Sequence, residues 1–403
     1  MKTYHHLLRE RGGEEASVGY AELLFDLIYV FAVTQVSHFL LHHLSWNGFA
    51  QACTLWFAVW MIWQHTAWMT NWFDPDKRPI RLMLFALMVV GLLMASALPE
   101  AFGERGLVFA LCYTAVQVGR PAFVLALLGR EHALSANYRR ILGWAAISST
   151  LWLAGAFQEG NGRLLLWAAG VLCDYTAPMF GFRLPGLGRS NSRQDWTVDG
   201  GHMAERIQLF VIIAFGETIL MSGVSLSETA VWNAEAVAGA VVSFTGTLAM
   251  WWIYFDSGSS AGSAKILHSA DPGGLGLKYH AVHIVLVGAL VVCAVGDELV
   301  VNHPQGPVDG AALLTLAAAP LVYVFANLLY KKLITGRVPR SHLLAGAALV
   351  ALVPLSPLLT RLELNALVTA IFFGIIVLDY LTGLNVLNGR TSGRDENAPA
   401  RPE

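Results

Sequence analysis

The stretch YAELLFDLIYVFAVTQVSHFLLHHL, residues 20–44, decides the fold because it is typical of a membrane-spanning helix. A helix rises about 1.5 Å per residue, so roughly 20 apolar residues cross the hydrocarbon layer of about 30 Å. Two carboxylates, Glu22 and Asp26, lie near its start, one helical turn apart and on the same face. A charge inside a membrane is costly, so these side chains require a partner or a function.

The whole chain shares this apolar character. Of its 403 residues, 55% are hydrophobic and 13% are charged, whereas about 25% are charged in soluble proteins. The sequence predicts an all-α polytopic membrane protein with about twelve transmembrane helices. The predicted spans lie near 20–43, 47–70, 80–98, 106–129, 140–158, 163–182, 202–223, 231–255, 279–302, 310–330, 341–360 and 363–386.

The composition also limits partners and cofactors. A formal net charge of −2 argues against nucleic acid, and the lipid bilayer is the partner that the sequence implies. The composition is also compatible with an ion or small-molecule substrate and with assembly into a homo-oligomer. The four cysteines stand singly, without CxxC spacing, and no nucleotide-binding motif is present. We therefore predict no metal site and no cofactor.

Lysine and arginine residues set the expected orientation. With the N-terminus inside, the inside segments hold 21 of them, and the outside loops hold Arg105, Arg163 and Arg361. The polar N-terminus lacks the apolar core of a cleavable signal peptide. The sequence therefore predicts a multi-pass protein of the plasma (inner) membrane with both termini in the cytoplasm.

Polar residues recur in the same order in two halves of the chain, which predicts an internal repeat. The matching positions are Glu22 with Glu205, Asp74 with Asp256, Gly91 with Gly288, and Asp174 with Asp379. Six spans per half is an even number, so the halves share one orientation and form two parallel six-helix repeats. The predicted domains are a cytoplasmic tail 1–19, a first repeat 20–182, a linker 183–201, a second repeat 202–388 and a disordered tail 389–403.

Glu22 and Glu205 begin matching spans. A carboxylate in the first turn interacts favourably with the positive end of the helix dipole, and the repetition favours a matched structural role. Arg206 offers a partner to Glu22 or Asp26. In the second half Asp26 is matched by an apolar residue, Leu209, so Asp26 is the better candidate for a function.

Glu217 lies about three turns beyond Glu205 and therefore well inside the hydrocarbon. Gly216 beside it lets another helix or a ligand approach closely. Two interpretations stay open, a buried ion pair that holds helices together and a site that binds a proton or a small cation.

Arg120, in the fourth span, is a permanent cation in hydrocarbon and is expected to pair with a carboxylate. Asp26, Asp174 and Glu217 all lie at a suitable depth, and the sequence does not choose between them. A structural ion pair and a role in a polar path are both open for Arg120. Asp174 and Asp379 are each followed by a tyrosine that can donate to the carboxylate, so a local pair is the alternative to a function there.

Two pairs of histidines have spacings that suit two zinc ligands on one helix, His38 with His42 and His280 with His283. In the predicted topology they fall at opposite membrane faces, so interfacial positions are expected and a shared metal site is not. His65 lies in an aromatic-rich span and can titrate near neutral pH, which makes it a candidate for a proton path.

Two long motifs resemble those of the bacterial low-temperature-requirement A family. AELLFDLIYVFAVTQVSHFL is similar to the first signature of that family, ELFFDLVFVFA…TQ.SH, and HMAERIQLFVIIAFGETIL resembles the second, H..ERFGLIVIIALGESIL. The resemblance covers roughly residues 16–386 and implies the architecture but no biochemical activity. The departures are Leu24, Ile207, Gln208 and Thr218. The motif positions that it marks are Glu22, Phe25, Asp26, Gln35, Ser37, His38, His202, Glu205, Arg206, Gly216 and Glu217.

Three functions fit these residues. The leading hypothesis is a transporter or channel with a path for protons or small cations, lined by Asp26, Glu217, Arg120, Asp174 and His65. The alternative is a membrane-embedded enzyme that acts on a lipid or isoprenoid, with carboxylates as general acids or metal ligands. A membrane sensor or scaffold is third, because the short loops offer little surface to a partner. The sequence identifies no catalytic residue.

Overall fold

The computed structural model describes residues 4–9, 17–129, 132–191, 195–196, 198–228, 232–256 and 269–395, without the side chains of 4–5 and 383–395. Within these ranges the protein is all-α, 83% helical, and has no β-strand. The described chain forms twelve long helices, which are α1 Tyr20–His42, α2 Trp46–Trp72, α3 Arg78–Ala97, α4 Gly106–Leu128, α5 Ala133–Ala156, α6 Gly160–Met179, α7 Gly200–Glu228, α8 Ala234–Phe255, α9 Pro272–Asn302, α10 Gly310–Thr335, α11 Arg340–Leu352 and α12 Arg361–Asp395.

Each predicted span coincides with one of these helices. Nine of the helices in the described ranges are long and apolar enough to cross a membrane, if α3 and α11 are counted with the 3-10 turns that extend them to Glu100 and Leu358. Helices α2, α5 and α6 fall outside that group. The helix starts differ most at α5 and α9, which begin at Ala133 and Pro272 and not near 140 and 279. Hydropathy marks the apolar part of a helix, and both helices begin with more polar turns outside that part.

Polar residues in the connecting segments start several helices. The side chains of Ser45, Asn233 and Asp309 accept hydrogen bonds from backbone N–H groups in the first turns of α2, α8 and α10, at 3.1, 2.7 and 2.8 Å. At the start of α12, Thr360 and Glu363 each accept a hydrogen bond from the backbone N–H of the other, at 3.2 and 2.8 Å. Such caps satisfy N–H groups that have no partner within the helix.

Helix α1 is apolar on its outer face and polar on its inner face. Glu22, Phe25 and Asp26 are fully buried, whereas Leu24 and Leu27 are 48% and 55% exposed. A soluble amphipathic helix has the opposite arrangement. Hydrocarbon solvates leucine and not a carboxylate, so this distribution suits a helix that faces lipid on one side and protein on the other.

The chain divides into two compact units. The first comprises Met1–Met221 and Ser259–Val295, and the second comprises Ser222–Gly258 and Gly296–Glu403. In the first unit, α1–α6 form a closed ring with the order α1, α2, α6, α5, α4, α3. In the second unit, α12 packs against α8, α10 and α11, and α11 packs against α10. The limits of these units differ from the predicted linker at 183–201.

The segment predicted as an N-terminal tail is partly bound to the helices. Arg9 N–H donates to Trp72 O, and Asp74 N–H donates to Leu7 O, each at 2.9 Å. These two bonds hold residues 7–9 beside the end of α2. The bound segment brings the side chain of Arg9 to the start of α1.

The C-terminal helix is longer than predicted. α12 continues to Asp395, beyond residue 389, where the sequence predicts a disordered tail. Residues 396–403 of that predicted tail lie outside the described residues.

Candidate functional site

Arg206 on α7 joins the two carboxylates of α1. Its Nη1 donates to Glu22 Oε1 at 2.7 Å, and its Nη2 donates to Asp26 Oδ1 at 2.6 Å. All three side chains are buried, with at most 1% of their surface exposed. A planar guanidinium can serve two acceptors at once. The expected pairing of Arg206 is confirmed for both carboxylates.

Glu22 has further partners. Arg9 Nη2 donates to Glu22 Oε2 at 2.7 Å, and His202 Nε2 lies 3.0 Å from Glu22 Oε1. The backbone N–H of Gly19 also donates to Glu22 Oε2, at 3.0 Å. Sequence reasoning missed Arg9, because it lies in a polar segment before the first span and nothing in its spacing signals this contact.

Asn71, at the end of α2, orients His202 from the other side of the ring. Asn71 Nδ2 lies 3.2 Å from His202 Nδ1 and donates to Asp199 O at 2.9 Å, while Asp199 N–H donates to Asn71 Oδ1 at 2.8 Å. An amide nitrogen can only donate, so Nδ1 accepts. His202 Nε2, on the opposite side of the ring, lies 3.0 Å from both Glu22 Oε1 and Arg9 Nη2. The sequence analysis missed Asn71 as well.

Opposite charges balance in this cluster. Glu22 and Asp26 supply two carboxylates, and Arg9 and Arg206 supply two guanidinium groups. Trp63 Nε1 adds a hydrogen bond to Asp26 Oδ1 at 2.7 Å. Removing one partner of such a buried set leaves an uncompensated charge, which is strongly destabilising. The carboxylates that open α1 therefore join this helix to α7 and to the N-terminal segment.

Glu205 does not share the environment of Glu22, so the expected matched role is wrong. The side chain of Glu205 is exposed and accepts a hydrogen bond from Val18 N–H at 3.1 Å. Consecutive residues project about 100° apart around a helix. Because Arg206 points into the cluster, Glu205 before it lies outside the buried face of α7.

Glu217 is a buried carboxylate that has no cation beside it among the described residues. It is 1% exposed, and the Thr34 hydroxyl donates to its Oε2 at 2.6 Å. Its Oε1 has no hydrogen-bond partner in the described part of the chain. The close approach of another helix that Gly216 allows is absent among the described residues, because a Cβ at this position would meet none of their atoms within 4 Å.

Arg120 forms no ion pair with a described carboxylate, contrary to the prediction. It is 2% exposed and donates to Ile62 O, Thr66 Oγ1 and Gln117 Oε1, at 3.2, 2.9 and 2.7 Å. Three neutral oxygens thus take the place of a single carboxylate. His65, the candidate for a proton path, lies beside this group, with its Nδ1 at 3.4 Å from Gln117 Oε1.

Asp174 and Asp379 contact other helices and not the tyrosines that follow them. Tyr113 Oη donates to Asp174 Oδ2 at 2.7 Å. Asp379 pairs with Lys331 Nζ at 3.0 Å and accepts a hydrogen bond from the hydroxyl of Ser341. The local pairs that the sequence left open are absent, because neighbours in a helix point about 100° apart and each tyrosine turns away from the carboxylate before it.

His280 and His283 are buried, 1% and 0% exposed, and therefore face other parts of the protein. α9 begins about two turns before its predicted start, which places both histidines inside the helix. His38 and Gln35 are half-buried, and the carbonyl of His38 accepts a hydrogen bond from His42 Nδ1 at 2.8 Å. No three histidine, cysteine, aspartate or glutamate side chains within the described ranges are grouped as metal ligands would be.

Asp297 is a buried carboxylate that the sequence analysis missed. It is 6% exposed and faces Ser243 and Asn365, whose side chains are joined by a hydrogen bond of 2.9 Å. Its Oδ2 has no hydrogen-bond partner among the residues described. The search for charges within spans could have found Asp297, because it lies in the predicted span 279–302.

Comparisons with known proteins agree with the two motifs. A model of the bacterial low temperature requirement A protein family matches residues 17–377. An uncharacterized protein of Rhizobium meliloti (strain 1021) is 34% identical over 385 residues, which are 94% of this chain and 93% of the relative. The similarity therefore extends far beyond the two motifs. The protein is a multi-pass membrane protein that belongs to the bacterial low temperature requirement A family.

Proposed function

We propose that the protein is a transporter that couples the movement of its substrate to protons, with Glu217 as the group that carries the proton. The observation that carries this proposal is the burial of Glu217 without a described cation beside it. An ionised carboxylate is costly in such a place, whereas its protonated form is neutral and can itself donate a hydrogen bond. A carboxyl group in this position is suited to take up and release a proton as its surroundings change.

The depth of Glu217 supports the proposal. At about 1.5 Å per residue, Glu217 lies about 25 Å from the start of α7, and Thr34 lies about 21 Å from the start of α1. Both residues therefore lie far along their helices from the charged cluster around Arg206. Carboxylates at such depth are the groups that proton relays in pumps and transporters use.

The surroundings of Glu217 favour a proton over a metal cation. A cation such as calcium takes about six to eight oxygen ligands. Thr34 is the side chain that hydrogen-bonds Glu217 within the described ranges. A proton needs one acceptor, so this arrangement suits a proton. Of the two ligands that the sequence left open, a proton or a small cation, we therefore propose the proton.

The packing of α1 and α7 supports the two parallel repeats, which we also propose. Glu22 and Thr34 of α1 contact Arg206 and Glu217 of α7, in the same order along both helices. Two helices that meet in the same order run in the same direction. The first helices of two parallel six-helix repeats would have this relation.

Asp174 and Asp379 give independent support for the repeat. Each reaches a residue two helices earlier in the chain and a residue on the helix just before its own. These contacts are Tyr113 and Trp152 for Asp174, and Lys331 and Ser341 for Asp379. The matching positions therefore have neighbours on matching helices, although the chemistry of those neighbours differs.

The distribution of lysine and arginine residues supports a proposed location and orientation in the membrane. The segments on the side of the N-terminus hold 21 of them, against three in the loops on the opposite side. Positive charge accumulates on the cytoplasmic side of membrane proteins. We therefore place the protein in the inner membrane with both termini in the cytoplasm.

Reconstitution of the full chain into liposomes tests the transport function. A pH-sensitive dye inside the liposomes should report proton movement by the wild type, and Glu217→Gln should reduce the rate to that of liposomes without protein. Glu205→Gln, which changes an exposed carboxylate of the same helix, should keep the wild-type rate. The assay is repeated with candidate solutes outside, because a tightly coupled transporter moves protons only together with substrate. Wild-type proton movement by Glu217→Gln would overturn the proposal.

A further inference from the structure

A cavity of about 460 Å³ lies within the first compact unit. Its walls come from the second half of α2, the centre of α4, the first turns of α5, the end of α6 with the segment after it, and the start of α9. Small-molecule sites occupy roughly 300–1,000 Å³, so the cavity has the size of one organic molecule. It is separate from Glu217 and Arg206, which do not line it.

The permanent charges that line this cavity are positive. Arg120 lies in its wall, and Arg183 and Arg189 lie in the segment after α6. The described lining residues include no aspartate or glutamate. Arg183 and Arg189 are exposed, and neither forms an ion pair with a described residue. Such a lining attracts anions.

Donors in the wall have room for a further acceptor. Trp68, which is 7% exposed, has no acceptor for its indole N–H among the described residues. Arg120 carries five N–H groups, and its three hydrogen bonds go to neutral protein oxygens. Charge-assisted hydrogen bonds to an anionic oxygen are stronger than neutral ones. These donors therefore favour an anionic group in the cavity.

An aromatic surface forms another part of the wall. Trp196 stands at its centre, with the ring centroids of Trp68, Trp72 and Phe182 at 5.4, 5.3 and 5.6 Å. All four residues line the cavity. Aromatic side chains contribute mainly by burying apolar surface, which a small inorganic ion does not have. A ligand that uses the whole wall has an apolar body.

Arg163 is a buried arginine with a structural role, and it provides a comparison for Arg120. It is 6% exposed and donates to the carbonyls of Ala101, Gly103 and Gln158, at 2.8, 2.7 and 2.9 Å. These bonds tie connecting segments together, and Arg163 does not line the cavity. Arg120 is 2% exposed but lies in a cavity wall, so its charge is available to a ligand.

We propose that this cavity binds an organic anion with an apolar body. The anionic oxygens meet Arg120, and the body packs against the aromatic surface around Trp196. Arg183 and Arg189 attract the ligand to the cavity. A soluble organic acid and an anionic lipid both combine these two parts. The site goes beyond the proposed proton transport, because binding here does not require Glu217.

Isothermal titration calorimetry on the full chain in non-ionic detergent tests the site. Naphthoate is the soluble probe and lysophosphatidate is the lipid probe, with naphthylmethanol and monoacylglycerol as their uncharged counterparts. At least one anion should bind about tenfold or more tightly than its counterpart, the effect of a charged hydrogen bond. Naphthoate binding indicates a soluble acid, and binding of lysophosphatidate alone indicates a lipid. Equal binding of both anions and their counterparts would overturn the proposal.

Substitutions separate binding in the cavity from uptake into detergent micelles. Arg120→Gln should weaken binding of the anion about tenfold or more. Because a buried change can disturb folding, the exposed pair Arg183→Gln with Arg189→Gln is a second test and should weaken binding and reduce its salt dependence. Arg337→Gln, an exposed residue that does not line the cavity, is the control and should bind as the wild type does. Wild-type affinity in both Arg120→Gln and the double variant would refute the site.

Discussion

The hydroxyl of Thr34 on α1 donates to Glu217 on α7, with 2.6 Å between Oγ1 and Oε2 and 183 positions between the two residues along the chain. In the proposed repeat these are matching positions, so one half supplies a hydroxyl where the other supplies a carboxyl group. A hydroxyl can donate or accept, and it can therefore serve Glu217 in either protonation state. Nearer the starts of the same two helices, Arg206 of α7 forms ion pairs with Glu22 and Asp26 of α1.

Replacing Arg206 with methionine should lower the free energy of unfolding by about 3–5 kcal/mol, because it removes one partner from a buried charged set. Glu22 and Asp26 stay buried, with Arg9 as the remaining guanidinium. Denaturant unfolding in detergent gives the measurement. Glu205→Gln, an exposed change on the same helix, is the control and should shift the value by less than about 0.5 kcal/mol. A methionine variant as stable as the wild type would show that the cluster does not hold α1 and α7 together.

Arg9→Ala should destabilise the protein by about 1–3 kcal/mol, since Glu22 loses a charged hydrogen bond in a buried place. The same denaturation experiment measures the change. Lys77→Ala is the matched control, because its ion pair with Asp74 is accessible to water and contributes at most about 1 kcal/mol. Equal losses in the two variants would mean that the N-terminal segment does not stabilise the cluster.

Asp174→Asn and Asp379→Asn should differ, although their positions match in the proposed repeat. Tyr113 can still donate to an asparagine oxygen, so the first change should cost less than about 1 kcal/mol. The second leaves Lys331, whose side chain is 8% exposed, without its carboxylate and should cost about 1–3 kcal/mol. Adding Lys331→Met to Asp379→Asn should restore part of the loss. The reverse order of costs would contradict these contacts.

Gly288→Ala and Gly216→Ala should have opposite effects. A Cβ at Gly288 would lie 2.8 Å from Trp56 Nε1, which donates to Ile284 O at 3.0 Å. The indole must move, so this change should cost about 1–3 kcal/mol. A Cβ at Gly216 meets no described atom within 4 Å, and alanine should favour the helix by roughly 0.5–1 kcal/mol. Midpoints of unfolding that shift in the same direction would be inconsistent with this packing.

Much of the fold follows from the sequence, because each predicted apolar span coincides with one long helix of the described chain and cap residues such as Asp309 mark where helices start. The starts of α5 and α9 do not follow, since a helix can extend through polar residues once its apolar part is anchored. The closed ring of α1–α6 depends on how the helices pack. The sequence of one apolar stretch does not determine which helices pack beside it.

The site was predictable where charge alone identifies a residue. Glu22, Asp26 and Arg206 stand out as ionised groups in apolar surroundings, and their opposite charges suggest the pairing that the structure contains. The neutral partners of Arg120 and the part played by Arg9 were not predictable. They depend on how each helix is rotated about its axis and on where a polar segment lies, and neither quantity can be read from spacing.

Infrared difference spectroscopy of the purified protein between acid and alkaline buffer tests the role of Glu217 most directly, since a protonated carboxyl group absorbs apart from a carboxylate. The wild type should lose a protonated-carboxyl band as the pH is raised. The component of that band that belongs to Glu217 should be missing from Glu217→Gln and present in Glu205→Gln. Protonated-carboxyl bands in Glu217→Gln that are identical to those of the wild type would contradict the account.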